Sequence, residues 1–327
     1  MNDEKIATSA ATAEITTPPK RKKYTFAKFK KDYGGLVYVL PTVLGILLFT
    51  LVPMIVSLNY SFHEINANNR ENPVGAFTLA NYARIFTKSW EVKGDWISVS
   101  QSLFVTFRYA IVTVVVNMVG SYILALFLNK QLKGIGAFRV LYYLPCLIPA
   151  VAGTLLWANI TDINSGYINL ILSQIGLPKY TFYEEASTVF PTILMMGVFG
   201  WGGNMIMWLA QMKNIPRVYY EAADIDGANK FRQLFSITIP MTTSMVFYLL
   251  ITSIINALQV FGSYYPLING NNRSELNFFV IKIYNTAYVN HDWAYACALS
   301  WLLFVIIGLL TAIIFKTSKW VYYGDEN

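Results

Sequence analysis

Charged residues are scarce in this sequence. Only 13% of its 327 residues are Asp, Glu, Lys or Arg, whereas about 25% is usual for a soluble domain. Hydrophobic residues make up 55% of the chain, and the mean hydropathy is +0.43. A soluble protein of this length would need more charge to cover its surface. The composition therefore excludes a soluble two-domain enzyme and predicts an integral membrane protein.

Cysteine and histidine, which build many metal and catalytic sites, are also scarce, with two of each. Cys146 and Cys297 lie in apolar segments and have neither metal-ligand spacing nor the pattern of a disulfide framework. His63 and His291 stand alone at the predicted outer edges of the membrane. The motifs G-x-x-x-x-G-K-[ST], G-x-S-x-G and H-E-x-x-H are absent. We therefore expect no catalysis, no metal and no cofactor in this chain, and any nucleotide to bind to another polypeptide.

Six long stretches contain no charged residue, and each can hold a helix of about 20 residues, the length that crosses a bilayer. We place the spans near residues 35–58, 106–128, 140–160, 189–212, 240–262 and 293–315. The fifth run, 233–272, is too long for one span and fits a span plus an uncharged loop around Asn269–Asn272. The prediction is an all-α membrane domain over residues 35–316, between a basic tail (1–34) and a short C-terminal tail (317–327).

The distribution of Lys and Arg predicts the orientation of these spans, because cytoplasmic loops are enriched in basic residues. With the N-terminus inside, 17 Lys and Arg fall in cytoplasmic segments and 7 in outer loops. Both termini are therefore expected in the cytoplasm. The basic cluster Lys20–Lys23 could bind nucleic acid or anionic lipid, but its position favours a solvated, partly disordered tail that sets the topology. We expect membrane lipid, and no nucleic acid, as a partner.

No acidic residue lies in the middle of a predicted span. Proton- or sodium-coupled carriers usually need intramembrane carboxylates, so the sequence argues against a secondary carrier. The polar side chains that do occur in the fourth and fifth spans suit a neutral, hydroxyl-rich ligand, and we predict that they bind substrate: Trp201, Asn204, Ser253, Asn256 and Gln259. The last three recur at i, i+3 and i+6 and so share a helical stripe. Packing between helices is the alternative for each residue.

The segment between the fourth and fifth predicted spans, residues 213–239, has an unusual pattern. Pro216 suits the first turn of a helix and Gly227 its end, so we predict a short helix and then a second helical stretch that runs to Pro240. Small side chains would line its surface, at Ala222, Ala223 and Ala228. A membrane protein has little structural need for such a loop, and a docking element for a soluble partner would explain it.

This segment resembles the signature of a known family. Its motif residues stand at the spacing of the EAA coupling loop in permease subunits of binding-protein-dependent ABC importers: Glu221-Ala222-Ala223, Gly227, Ile237 and Pro240, with Ile239 in place of the usual leucine. We call residues 213–239 the coupling loop. The fuller form Glu-Ala-Ala-x-x-Asp-Gly-Ala, preceded by Ile-Pro, is similar to the carbohydrate uptake group, in particular its maltose and glycerol-3-phosphate first permeases. Further resemblances lie at Leu40-Pro41, Asn81-Tyr82, Leu144-Pro145, Leu156-Trp157 and Ala298–Trp301.

The resemblance implies a type I ABC importer permease core in a bacterial cell membrane, forming half of the translocation pathway for a carbohydrate. It also implies partners: a second permease subunit, two ATP-binding subunits inside and an extracytoplasmic solute-binding protein. The coupling helix would contact the ATPases through Glu221, Ala222, Ala223, Asp226, Gly227 and Ala228. A non-carbohydrate solute is the main alternative, and the sequence leaves open which sugar is carried.

Overall fold

The computed structural model describes residues 36–63, 77–86, 98–130 and 133–322. The predicted N-terminal tail, residues 1–34, lies outside these ranges, as do the last five residues of the C-terminal tail. The described chain is helical, and its β structure is limited to an isolated bridge between His63 and Phe77. The fold is all-α, as the composition predicts.

The chain divides between Val56 and Ser57 into two compact units. The described part of the first unit belongs to helix α1, which is built from Leu36–Ile46, a π-helical turn at Leu47–Leu51 and Val52–Ser61. None of the side chains described from Tyr38 to Val56 is buried, and most of them are apolar. A helix that exposes apolar side chains on all sides suits a lipid environment.

The second unit holds the remaining helices. The first six are Ala80–Phe86 (α2), Val99–Leu128 (α3), Ile135–Tyr143 (α4), Ala150–Thr161 (α5), Tyr167–Gln174 (α6) and Ala186–Val198 (α7). The next are Trp201–Lys213 (α8), Arg217–Ile225 (α9), Lys230–Gln233 (α10), Thr243–Leu258 (α11), Arg273–Leu276 (α12), Phe279–Tyr284 (α13) and Trp293–Lys316 (α14). A π-helical turn at Leu234–Thr238 and a short turn at Ile239–Met241 join α10 to α11. α3 is central, because it packs against α7, α8, α11 and α13.

Three helices, α1, α3 and α14, are long and apolar enough to cross a membrane. Three bent pairs reach the same length: α4, extended to Leu147, with α5 at 99°, α7 with α8 at 42°, and Lys230–Met241 with α11 at 62°. The described chain thus offers three continuous candidate spans, or six if each bent pair counts as one. α3 begins at Val99, ahead of residue 106, the predicted start of the second span.

The sharpest bend, between α4 and α5, lies inside the predicted third span, residues 140–160. A 3₁₀ turn at Leu144–Leu147 follows α4, and Ile148 is extended. The next residue is Pro149, whose ring disfavours a helical conformation in the residue before it. Hydropathy predicts one continuous helix here, because a charge-free run gives no sign of a break, whereas the structure has two shorter helices.

The bend before α11 lies at Thr242, two residues after Pro240. Proline lacks the backbone N–H and disturbs the helix that precedes it. Thr242 is fully buried, and its hydroxyl donates to the carbonyl oxygens of Thr238 and Ile239, at 2.9 and 3.0 Å. A hydroxyl in this position helps to satisfy backbone carbonyls at a bend away from water, as threonine does in interrupted membrane helices.

Two glycines allow α8 to approach its neighbours closely. A Cβ added at Gly120 would lie 2.2 Å from the Trp201 ring, and one at Gly202 would lie 2.1 Å from the carbonyl oxygen of Tyr142. Any larger residue at either position would overlap these atoms. α8 is therefore held against α3 on one side and against α4 on another.

The segment between α11 and α14, residues 259–292, is part of the protein core. Phe278, Phe279 and Ile281 are fully buried, and Glu275 forms an ion pair with Arg108 of α3. The loop predicted around Asn269–Asn272 is present as a turn, and Asn269, Gly270 and Asn271 are exposed. The residues that follow it form helices α12 and α13, which pack into the helix bundle.

Candidate functional site

The coupling loop is a compact helix–turn–helix. Its first helix, α9, begins directly after Pro216 and ends at a glycine in the left-handed conformation, Gly227, with φ +72°. The N–H of Ala228 donates to the carbonyl of Ala223 at 2.9 Å, and the N–H of Gly227 donates to that of Asp224 at 3.2 Å. This pair of bonds is the Schellman motif, which needs a left-handed residue at the position of Gly227. The sequence predicts both ends of this helix.

A buried side chain ties the two helices of the coupling loop together. Gln233 is 3% exposed, and its amide donates to the carboxylate of Asp224 and, at 3.1 Å, to the carbonyl of Ala228. Lys230 Nζ donates to the same carboxylate at 3.0 Å and to Gln233 Oε1 at 3.1 Å. Gln233 thus bridges the end of α9 and the turn that follows it. The loop is a preformed body rather than a loose connection.

The same contacts set the charge state of Asp224. Hydrogen bonds from Lys230, and then from Gln233, lower the pKa of this carboxyl group below its ordinary value. Its oxygens are solvated, so the ion pair with Lys230 adds little stability by itself.

A further link joins α9 to the π-helical turn, because the hydroxyl oxygens of Tyr220 and Thr238 lie 2.9 Å apart.

The coupling loop presents apolar side chains on its surface. Ile225 is 88% exposed, Phe231 71% and Val218 61%. Burying these side chains against another molecule would be favourable, because it removes apolar surface from water. The predicted coupling residues fall in two groups: Glu221, Ala222, Asp226 and Gly227 are exposed, and Ala223 and Ala228 are half-buried.

The predicted substrate residues on α8 have different surroundings. The ring of Trp201 packs on Gly120, and its indole N–H donates to Asn117 Oδ1 at 2.9 Å. Trp201 therefore has a packing contact between helices, which is the role that the sequence leaves open as an alternative to substrate binding. Asn204, one turn later on α8, is half-buried, and its amide forms no hydrogen bond to any described residue.

The polar stripe on α11 has side chains without bonding partners. Ser253 is half-buried, whereas Asn256 and Gln259, which follows the end of the helix, are exposed. Within the described part of the chain, none of the three forms a side-chain hydrogen bond. Thr252 on the same helix differs, because its hydroxyl donates to the carbonyl of Tyr248 at 3.0 Å. An unpaired amide facing hydrocarbon would be costly, so this stripe is suited to a face that meets water or another subunit.

A cavity of about 260 Å³ lies at the bends between α4 and α5 and between α7 and α8. Trp157 and Phe199 line it, with ring centroids 4.8 Å apart, and Gly200, the residue before Trp201, adds to its wall. The hydroxyl of Thr154 donates to the carbonyl of Ser263 at its edge. The sequence points to Trp157 but not to Phe199 or to the cavity, because their meeting depends on bends that hydropathy does not reveal.

Comparison with known proteins gives relatives over nearly the full length. No protein-family model matches the sequence. The chain is 33% identical over 306 residues to the probable ABC transporter permease protein YesP of Bacillus subtilis, which covers 91% of this chain and 94% of that protein. It is 28% identical over 297 residues to the trehalose/maltose transport system permease protein MalF of Thermococcus litoralis, covering 89% of this chain and 96% of that protein.

The fold also matches solved structures. One is a bacterial ABC transporter involved in the import of the acidic polysaccharide alginate, with a TM-score of 0.78 and 20% identity, over 90% of this chain and 97% of the matched chain. The bacterial alginate ABC transporter in complex with an alginate pentasaccharide-bound periplasmic protein matches with a TM-score of 0.77 and 20% identity, over 90% of this chain and 96% of the matched chain. These structures support the fold, and the similarity to YesP shows the family. The chain belongs to the ABC transporter permeases, the family that includes the permease subunits of sugar transport systems.

Proposed function

We propose that this chain is a permease subunit of a binding-protein-dependent importer and forms half of the translocation pathway for a carbohydrate. The coupling loop carries the proposal: it is a preformed helix–turn–helix with exposed apolar side chains, in a chain of the ABC permease family. Two of the similar proteins are named for saccharide transport, namely the trehalose/maltose permease and the alginate transporter. Neutral amides on α8 and α11 suit the same class of substrate.

The proposed membrane arrangement has six spans, namely α1, α3, α14 and the three bent pairs. The bias of basic residues supports an orientation in which both termini and the coupling loop lie in the cytoplasm. The segment 259–292 then lies on the outer side. The membrane would be the bacterial cell membrane, which agrees with the bacterial source of the YesP relative.

In the proposed mechanism, the importer has two ATP-binding subunits, and the coupling loop of this chain docks in a cleft of the ATPase. Ile225 and Val218 would enter an apolar cleft, and Glu221 would pair with basic groups at its rim. Because Gln233 ties α9 to the turn and α10, movement of the ATPases would displace the loop as one body. The π-helical turn at Leu234–Thr238 would carry that displacement into α11. The chain itself would perform no bond chemistry.

The proposed pathway runs along the polar faces of α8 and α11. Asn204, Asn256 and Gln259 have amides free to bond with sugar hydroxyls. A second permease subunit would face this stripe and complete the pathway. The outer end would receive the sugar from a solute-binding protein, as the periplasmic protein in the alginate transporter complex suggests. Trp201 would support this surface from behind, since its indole N–H is engaged by Asn117.

Reconstitution in vesicles tests the proposal. The chain, its partner permease and their ATP-binding subunits should take up a saccharide only when the solute-binding protein and ATP are both present. Uptake by the chain alone under an ion gradient would identify a secondary carrier instead. ATP-driven uptake of an amino acid or an ion, and of no saccharide, would identify an importer for a non-carbohydrate solute.

Asn256 offers a sharper test of the pathway. Replacing one hydrogen-bonding amide should weaken saccharide affinity about three- to tenfold, so Asn256→Ala should raise the saccharide concentration needed for half-maximal uptake. Thr252→Val is the matched control, because Thr252 bonds only to its own helix. Equal uptake curves for Asn256→Ala and the wild type would remove this residue from the pathway.

A further inference from the structure

The outer segment, residues 259–292, contains a cavity that the proposed mechanism does not use. Its volume is about 500 Å³. The polar part of its wall comes from three asparagines, an arginine and a tyrosine: Asn269, Asn277, Asn285, Arg273 and Tyr265. Cavities with a few convergent polar groups are the usual form of small-molecule sites.

The side chain of Asn277, in the wall of this cavity, is buried without hydrogen bonds. It is 1% exposed, and neither its amide nitrogen nor its amide oxygen has a partner among the described residues. Asn272, on the same segment, shows the usual arrangement: it is fully buried, its amide donates to the carbonyl of Leu267 at 2.8 Å, and its oxygen accepts from the N–H of Asn269 at 2.9 Å. An unpaired buried amide costs about 1–3 kcal/mol. In the wall of a cavity, a bound molecule can supply the missing partner.

Asn285 provides a second free amide in the same cavity. It is half-buried, and its side chain forms no hydrogen bond to the described part of the chain. It is also the first residue of a π-helical turn, Asn285–Val289. Turns of this kind are rare and occur frequently at functional sites. The turn and the buried Asn277 therefore bring two uncommitted amides to one cavity.

A continuous row of aromatic rings lies along the same segment and ends at the first residue of α14. Each ring contacts the next, with centroid separations between 4.9 and 5.3 Å. The row consists of Phe261, Tyr265, Tyr284, Tyr288 and Trp293. Tyr265 belongs both to this row and to the cavity wall, and Tyr288 is exposed. Flat apolar faces beside amides match a sugar ring, which has an apolar face and hydroxyl groups at its edge.

We propose that this cavity is an outer saccharide subsite, in which Asn277 and Asn285 bond to the hydroxyls of one neutral sugar ring beside Tyr265. The subsite rests on the proposed carbohydrate import, and it is separate from the stripe on α8 and α11. The two amides, on Asn277 and Asn285, are uncharged groups that donate and accept hydrogen bonds, as sugar hydroxyls do. The proposed ligand is therefore a neutral ring. The subsite would hold sugar at the outer mouth before it enters the pathway.

Saccharide binding to the assembled transporter tests the subsite. The transporter is placed in nanodiscs without ATP and without the solute-binding protein, so that only permease sites contribute. Saturation-transfer NMR is recorded with trehalose, maltose, lactose, N,N′-diacetylchitobiose and an alginate disaccharide. We expect a neutral member of the panel to bind, and Asn285→Leu and Asn277→Leu each to weaken that binding about three- to tenfold. Asn271→Leu is the matched control, because this exposed asparagine lies on the same segment outside the cavity wall.

Each outcome decides the proposal. Binding of no neutral saccharide, or only of the alginate disaccharide, overturns it, as does unchanged binding in Asn285→Leu. If the transporter does not assemble with Asn277→Leu, saccharide binding by Asn285→Leu still tests the subsite, because Asn285 is only half-buried. A loss of ATPase stimulation by the solute-binding protein, with saccharide binding unchanged, would make the cavity a protein contact instead. ATP-driven uptake of the same panel by the wild type tests carbohydrate import separately. If the wild type takes up a saccharide that Asn285→Leu binds as tightly as the wild type does, only the subsite is ruled out.

Discussion

The conformation of one residue decides how the coupling loop turns. Gly227 has φ +72°, and a Cβ added there would meet nothing within 4 Å. A substitution therefore costs backbone strain and not steric overlap. The left-handed conformation costs residues with a Cβ about 1–2 kcal/mol, and asparagine tolerates it better than other residues do.

We predict that Gly227→Val lowers ATP-driven uptake strongly while leaving the amount of protein in the membrane unchanged. The β-branched side chain disfavours the left-handed turn, so the second half of the loop would be displaced from the ATPases. Gly227→Asn is the matched control and should keep most of the uptake. Similar uptake in the valine and asparagine variants would show that the turn geometry does not matter for coupling.

Gln233 and Lys230 both contact Asp224, but only Gln233 is buried. We predict that Gln233→Leu lowers uptake per ATP hydrolysed, because it removes the bonds that hold the turn to α9. The bond to the Ala228 carbonyl alone is worth about 1 kcal/mol, or about fivefold in the population of the ordered loop. Lys230→Ala should have little effect, since an exposed ion pair contributes little.

The comparison of Gln233→Leu with Lys230→Ala requires an ionised Asp224 carboxylate, and the pKa of this group sets the pH range in which it is ionised. Its lowered pKa means that stabilisation of the folded loop is present above the ordinary aspartate pKa and is lost only as the pH falls through the lower folded value. The carboxylate is therefore ionised throughout the neutral range. The ratio of uptake to hydrolysis in Gln233→Leu should stay constant between about pH 6 and pH 8, and a ratio that recovers within that range would contradict the assigned role.

At the scale of whole helices, the sequence indicates where the apolar helices lie better than how they are bent. Charge-free runs locate α3 and α14 because each is one continuous helix. They give no sign of the break at Ile148, because hydropathy averages over Pro149 and its neighbours. The same limit applies to the segment 259–292, since asparagine and glycine predict a loop whether or not the aromatic residues around them are buried.

The contact between α3 and α8 depends on a small residue in α3. A Cβ at Gly120 would lie 2.2 Å from the Trp201 ring, so the helices would have to separate. We predict that Gly120→Ala lowers the stability of the detergent-solubilised chain by about 1–3 kcal/mol, as overpacked cores do. The measurement is the midpoint of thermal unfolding followed by helical circular dichroism.

Gly308→Ala in α14 is the control for this effect. A Cβ there would meet nothing within 4 Å, and alanine is the better helix former. Its unfolding midpoint should equal or exceed that of the wild type. A midpoint for Gly120→Ala as high as that of Gly308→Ala would mean that α3 and α8 do not approach as closely as the structure has them.

For the whole molecule, sequence motifs predict the family, and the structure adds surroundings that motifs do not contain. The motif from Glu221 to Pro240 resembles the signature of ABC importer permeases, and its first part, from Glu221 to Gly227, reflects one helix and one turn. It does not show that Trp201 is held by Asn117 while Asn204 is not bonded. Whether a polar side chain faces a ligand or a neighbouring helix depends on contacts between residues far apart in sequence.

Orientation in the membrane is the property on which every proposed role depends, and two exposed positions test it. Ile225 is 88% exposed in the coupling loop, and Val289 is 61% exposed in the outer segment. In a background where Cys146 and Cys297 are replaced by alanine, Val289→Cys should react with a membrane-impermeant maleimide in intact cells. Ile225→Cys should react only after the membrane is permeabilised, and it is measured without the ATP-binding subunits because they would cover it. The reverse pattern would place the coupling loop outside, where no ATPase could reach it, and the proposed mechanism would fail.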